Sequence, residues 1–202
     1  MDKTKLAINV FDNCAKEYQD KFMNQDLYND TFDMFCNLIE RKNAEILEIG
    51  CRPGNITKYL LSQRPDFNIL GTDLSQKMMK LAETNILTAQ FKVLDCREIT
   101  KIKKNFDALM CGFILPYITK EDIVAFIQDC YLKLNLNGIL YLSTMEGSYN
   151  NSGLKTSSSG KGGMYIHYYE RKYLTKILNI IEKIYPEPSE ETKNDIIIIA
   201  KK

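Results

Sequence analysis

Apolar residues at Leu27, Phe32, Phe35, Leu38 and Ile39 follow helical spacing, and residues 44–50 then tighten into a short apolar run, which predicts a helix followed by a buried strand. Beyond the Pro53-Gly54 breaker, Ile56, Tyr59 and Leu60 return to helical spacing, and residues 67–72 give a second strand that ends at Asp73. Ser75 is placed to cap a helix carrying Met78, Met79, Leu81 and Ala82. Third and fourth strands are expected at residues 91–94 and 106–113. Thr119 and Asp122 resemble a capping pair for a helix whose apolar face is Ile123, Phe126, Ile127 and Cys130, with Asn137-Gly138 as its end. A fifth strand at 139–145, a last helix from about 171 to 180, and Ile-rich strands near 181–185 and 195–200 complete the pattern.

Strands alternating with helices of this length predict a doubly wound α/β fold, because each crossover must pack back onto the sheet with a right-handed turn. The last two strands are too close for a helical crossover and should pair antiparallel. The expected sheet is therefore seven-stranded and mostly parallel, with the last strand antiparallel and helices on both faces. Residues 146–163 break the rhythm, with five Gly, five Ser and no apolar periodicity, and read as a long loop or lid. The 202 residues fit one domain.

Composition narrows the partners. With 27 Lys+Arg against 26 Asp+Glu, the net charge is +1 and no basic stripe is offered to a phosphate backbone, so nucleic acid is not expected. The longest purely apolar run, 196–200, is far below the roughly 20 residues that span a bilayer, so no membrane partner is expected. Charges at Asp2, Lys3, Lys5, Asp12, Lys16 and Glu17 interrupt the apolar segment of a secretory signal, which points to the cytoplasm. The six cysteines form no CxxC pair and are expected to stay reduced. With a single histidine, His167, paired-His metal motifs are absent and no metal is expected.

The strongest chemical signal is Glu45-Ile46-Leu47-Glu48-Ile49-Gly50-Cys51-Arg52-Pro53-Gly54-Asn55, an apolar strand that runs into a glycine turn and then a helix. Ligands of open α/β sheets dock at the carboxyl ends of the strands, where glycine admits close approach to the backbone. Asp73, 19 residues after Gly54, is placed to accept hydrogen bonds from a ribose diol. A dinucleotide fingerprint would require glycines at 52 and 55, where Arg52 and Asn55 stand, so a nucleotide-dependent oxidoreductase is a remote reading.

Glu48, two residues before Gly50, suits a cofactor whose cationic amino acid end lies over the turn. Here the chain resembles the class I S-adenosylmethionine-dependent methyltransferases, whose first motif is an acidic residue, an apolar residue and then G-x-G-x-G. The resemblance covers nearly the whole chain and implies a single domain, with an N-terminal helical cap (1–42), a cofactor-binding core (43–145) and an acceptor-site loop, last helix and hairpin (146–202). It also implies S-adenosylmethionine as cofactor, Gly50 and Gly54 beneath its methionine moiety with Cys51, Arg52 and Leu74 beside them, and Asp73 on the ribose. Asp95 and Cys96 would flank adenine, Cys111 and Gly112 would form a wall, and Tyr18 would close over the cofactor from the N-terminal helix.

Arg52 departs from the family's middle glycine. If that position needs φ > 0 the cost is about 1 to 2 kcal/mol, unless the guanidinium meets the cofactor carboxylate as a bidentate pair. Pro116-Tyr117 resembles the end of an Asn-Pro-Pro-Tyr motif, but Ile114 and Leu115 occupy its first two places, which rejects the amide and base N-methyltransferase subclass. The acceptor, a small molecule, is expected among Tyr117, Tyr149, Tyr165 and Tyr168, with Tyr169 nearby. His167, or else Glu146, would serve as general base if one is used. A non-catalytic S-adenosylmethionine or nucleoside sensor is the alternative reading.

Overall fold

Strand β1 (Glu45–Ile49) is buried on both faces, as a parallel strand covered by helices on each side must be. Leu47 and Ile49 enter one layer of core and Ile46 the other. The computed structural model of the protein describes residues 3–157, 160, 162–178, 182–184, 186 and 190–202. The further helices are α1 (Lys3–Phe22), α2 (Asn29–Leu38), α3 (Asn55–Gln63), α4 (Gln76–Asn85), α5 (Ile123–Lys133) and α6 (Arg171–Ile177). The further strands are β2 (Asn68–Asp73), β3 (Gln90–Val93), β4 (Phe106–Cys111), β5 (Leu134–Met145), β6 (Gly153–Thr156), β7 (Gly163–Ile166), β8 (Glu182–Ile184) and β9 (Asp195–Lys201).

The main sheet runs β3-β2-β1-β4-β5-β9, with the three-residue β8 added at the edge beside β9. The first five of these strands are parallel, and β9 is antiparallel to β5 and β8 to β9. Period-two alternation fills both layers: Leu109, Cys111, Leu140 and Leu142 pack against α5 and α6, while Ala108, Met110, Ile139 and Tyr141 pack against α2 and α3. Strand order reverses between β1 and β4, and that opening is where a ligand crevice forms.

Three expectations change. The pair Asn137-Gly138 does not end a helix: α5 stops at Lys133 and β5 begins at once, with the β4–β5 register jumping from Phe106↔Leu134 to Ala108↔Ile139. Asn137 adopts φ 63 and donates its N–H to Lys202, so the turn-prone residue makes a bulge rather than a stop. Strand β4 ends at Cys111, short of 113, because Phe113 turns left-handed at φ 52. The stretch 146–163 is not a structureless loop. Its β6 pairs antiparallel with β7, and Met164 and Ile166 of β7 bury against Ala7, Val10 and Cys14 of α1. The helix end expected at 180 and the outer residues of the strand expected at 181–185 lie outside the described residues. Among the described residues, no helix is long and apolar enough to cross a membrane.

Helix α1 is drawn across the sheet's carboxyl edge by that hairpin on one side and by α4 on the other. Asp12 Oδ1 accepts from the Ser75 hydroxyl at 2.5 Å and from Lys77 N at 3.2 Å, while the Ser75 hydroxyl accepts from Met78 N as expected of a cap. Replacing Asp12 with alanine should cost about 1 kcal/mol, the scale of a lost helix cap, and expose α1 to faster proteolysis than the sheet. Unchanged melting and cleavage would contradict this latch.

Candidate active site

The turn after β1 is left-handed at three positions, Gly50 (φ 75), Arg52 (φ 52) and Gly54 (φ 85). Gly50 N and Cys51 N both donate to Thr72 O, at 2.7 and 2.9 Å, which ties the turn to the end of β2. Gly54 N donates to Cys51 O, and a β-carbon at Gly54 would lie 2.6 Å from Ile86 Cδ1, so only glycine fits where α3 begins. The conformation that glycine would relieve at Arg52 is present, and the neighbouring groups hold it there. Arg52 N donates to Asp73 Oδ2 at 3.0 Å, and the guanidinium donates to Gly112 O at 3.3 Å and Phe113 O at 2.9 Å.

Asp73 also accepts from Ser75 N at 2.8 Å. Burial raises its carboxyl above the ordinary range, against the pull of the Ser75 and Arg52 bonds. Glu48 is 1% exposed, and its Oε2 accepts from the Thr57 hydroxyl while Oε1 has no partner. Burial pushes its carboxyl up to about 8, opposed by the Thr57 bond and the Arg52 charge, so it is mostly protonated at neutral pH.

A cavity, partly open to solvent, lies between α1 and the carboxyl ends of β1 to β4. The structure brings Gly50, Arg52, Asp73, Leu74, Asp95, Cys96 and Tyr117 to its wall. Asp95 is bonded by the Arg97 guanidinium at 2.5 and 2.9 Å; burial lifts its carboxyl, but these bonds outweigh it and hold the group below its usual range. Other expected residues lie outside this lining. Cys51 packs on Met79 and Ala82, and Cys111 is in the core. Gly54 is under α4, Glu48 is behind the turn, and Gly112 contributes its carbonyl to Arg52. Tyr18 stands over the guanidinium, 5.6 Å from ring centroid to Cζ, with its hydroxyl raised by burial.

Apart from Tyr117, the residues expected around the acceptor are gathered elsewhere. His167 is 2% exposed, stacked on Tyr149 at 5.6 Å and near Tyr165 at 5.8 Å, and its backbone N–H donates to Pro116 O. Burial and the Lys3 charge lower its pKa, and its Nδ1 has no partner. Tyr149 accepts from Lys120 N, Tyr165 lies under Lys3, and Tyr168 N is held by the Ser152 hydroxyl. Tyr169 is buried and donates to Ile118 O, while Glu146 pairs with Arg171 at 3.9 Å. None of these lines the cavity. The reading from sequence missed the α1 wall of Thr4, Ala7, Ile8 and Phe11, whose i, i+4 apolar spacing was the available signal, and it missed Arg97.

Residues 46–138 match the family model described as a methyltransferase domain. That match spans a little under half of the chain and makes the region similar to a methyltransferase domain. The chain is 24% identical over 190 residues to the demethylmenaquinone methyltransferase of Thermotoga maritima, covering 88% of this chain and 82% of that one. It is 27% identical to a carboxy-S-adenosyl-L-methionine synthase of Campylobacter hominis over 51% of this chain and 45% of that one. Four curated relatives are matched over only 25 to 47% of their length. The fold is similar to that of magnesium protoporphyrin IX methyltransferase from Synechocystis with bound SAM, at a TM-score of 0.75, 14% identity and coverage of 100% and 98%. Among the described residues, no group of three or more His, Cys, Asp and Glu could hold a metal ion.

The turn after β1 leaves a pH signature. Between the ordinary carboxyl value of 4.5 and the folded value of about 8, native Glu48 keeps a proton that the unfolded chain has released, so stability falls as pH rises. The slope from this one group reaches about 1.4 kcal/mol per pH unit. Thermal melts from pH 5 to 8 should show the decline in the wild type and a flatter profile in Glu48→Gln; equal slopes would contradict the assignment.

Proposed function

We propose that the protein binds S-adenosylmethionine in the cavity at the ends of β1 to β3 and transfers its methyl group to a small-molecule acceptor by in-line displacement. One observation carries the reading: Asp73, at the end of β2, brings a half-buried carboxylate to the cavity wall, oriented by the N–H groups of Arg52 and Ser75. A carboxylate accepts about four hydrogen bonds, which leaves capacity for a ribose diol. With the ribose there, Gly50 underlies the methionine end, Leu74 adjoins the ribose, and Asp95 and Cys96 flank the adenine.

Methyl transfer from a sulfonium needs alignment of the nucleophile and exclusion of water more than a base, and alignment is worth several kcal/mol, within the range of about 7 to 11 known for intramolecular reactions. Ile114, Tyr117 and Ile118 supply an apolar wall for that alignment, and α1 closes the opposite side. The β6–β7 hairpin, packed on α1, would act as part of the lid. The second reading, a non-catalytic sensor of the same cofactor, is favoured by one observation: His167 and Glu146 are both outside the cavity lining. Transfer of a labelled methyl group to any member of a library of small alcohols, amines and thiols decides for the enzyme; cofactor binding with no turnover decides for the sensor.

Substituting Asp73 by alanine should weaken S-adenosylhomocysteine binding by about 1.5 to 3 kcal/mol, the range for hydrogen bonds to a charged group. Calorimetry that finds wild-type affinity in a folded Asp73→Ala protein would remove the ribose assignment.

A further inference from the structure

Three bonds from one aromatic cluster hold the loop after β4, which supplies Tyr117, Ile118 and Thr119 to the cavity wall. His167 N donates to Pro116 O, the Tyr169 hydroxyl donates to Ile118 O, and Lys120 N donates to the Tyr149 hydroxyl. The same cluster reaches the cover of the cavity. His167 directly follows β7, whose Met164 and Ile166 bury against Ala7, Val10 and Cys14 of α1, and Lys3 of α1 lies over the Tyr165 ring. His167 therefore joins the cavity's wall to its cover.

Its imidazole is packed in a way that disfavours the charged form. The residue is 2% exposed, and Nδ1 has no partner among the described residues. An imidazolium donates from both ring nitrogens, so protonation would leave a buried N–H without an acceptor. Aromatic faces can offset a cation, but the two rings beside His167 already serve others: Lys3 Nζ stands 4.3 Å from the Tyr165 centroid and Lys120 Nζ 5.2 Å from that of Tyr149. A protonated His167 would add a third positive charge to the same rings. Glu121, an exposed carboxylate on the loop, favours the cation, and burial together with the Lys3 charge outweighs it. The other charges around the cluster are paired with one another, Asp122 with Arg97 and Glu146 with Arg171, each at 3.9 Å.

We propose that His167 makes the cavity cover acid-sensitive: neutral, it keeps α1, β7 and the loop after β4 packed together, and protonated, it leaves its place among the tyrosines and lets them part. A ring that titrates below the ordinary 6.5 when packed, and at 6.5 when exposed, favours the packed state above pH 6.5 and the open state as pH falls below it. Any ligand in the cavity is then retained near neutrality and released in acid, whatever its identity.

Because His167 is the only histidine, ring-carbon NMR of the untagged chain follows its titration without a variant, and the expected midpoint lies below 6.5. Amide hydrogen exchange, divided by the intrinsic rate at each pH, reads the opening. Between pH 7.5 and 5.5 the protection of α1, β7 and Tyr117 should fall by about three- to tenfold, tenfold being the limit for one proton taken up on opening, while β4 and β5 keep theirs. His167→Phe keeps a ring beside the tyrosines and has no proton to gain, so its protection should hold across this range. A midpoint at or above 6.5, protection of α1 and β7 that does not fall, an equal fall in β4 and β5, or the same fall in folded His167→Phe overturns the proposal. Should the variant misfold, the wild-type titration and exchange decide alone. Failure of S-adenosylhomocysteine to bind would remove the cofactor reading and leave this one standing.

Discussion

Two residues without glycine's freedom, Arg52 and Phe113, are left-handed at φ 52 on facing loops after β1 and β4, and the bond from Arg52 Nη2 to Phe113 O joins them. Each such conformation costs on the order of 1 to 3 kcal/mol and persists only where the surroundings impose it. The surroundings here are specific. Asp73 holds the Arg52 backbone from β2, Ser143 accepts from Phe113 N on β5, and the Tyr28 ring lies 5.1 Å from that of Phe113. Strands β1, β2, β4 and β5 thus all bear on one turn. The crevice opens there because strand order reverses between β1 and β4, and the geometry of its floor depends on this tie.

Chemistry follows from what that floor presents. Carboxylates at Asp73 and Asp95 end β2 and follow β3, a guanidinium ends the β1 turn, and an apolar wall follows β4. Helix α1 closes the space with small and apolar side chains, so a reacting sulfonium would be shielded from water without any titrating group from the cover except Lys3. His167 and the tyrosines around it form a packed cluster linked to the site through the main chain, by the bond from His167 N to Pro116 O next to Tyr117.

The sheet was legible because both its faces are buried, so that β1, β4 and β5 read as continuous apolar runs between helical repeats. Gly50, Asp73, Leu74, Asp95, Cys96 and Tyr117 were legible as cavity residues because they follow strand ends, and strand ends are where such folds expose backbone and polar groups. The bulge at Asn137 was misread because Asn-Gly favours a left-handed residue equally in a helix stop and in a strand irregularity, and only pairing with Lys202 at the chain's end selects between them. The β6–β7 hairpin escaped notice because β6 carries no buried face and owes its strand to backbone pairing with β7. The tie from Arg52 to Phe113 spans 61 residues of sequence, and no local pattern announces it.

A nucleoside cofactor lying on the turn after β1 and along the ends of β2 and β3, as proposed, would touch several strand ends at once. Amide NMR of the protein titrated with S-adenosylhomocysteine tests it most directly, because every strand end reports separately. The account predicts saturable shifts at Gly50, Leu74, Cys96 and the α1 residues Thr4 and Ile8, with β9 and α2 unmoved. Saturable shifts confined to other surfaces, or no shift at millimolar ligand, would contradict it.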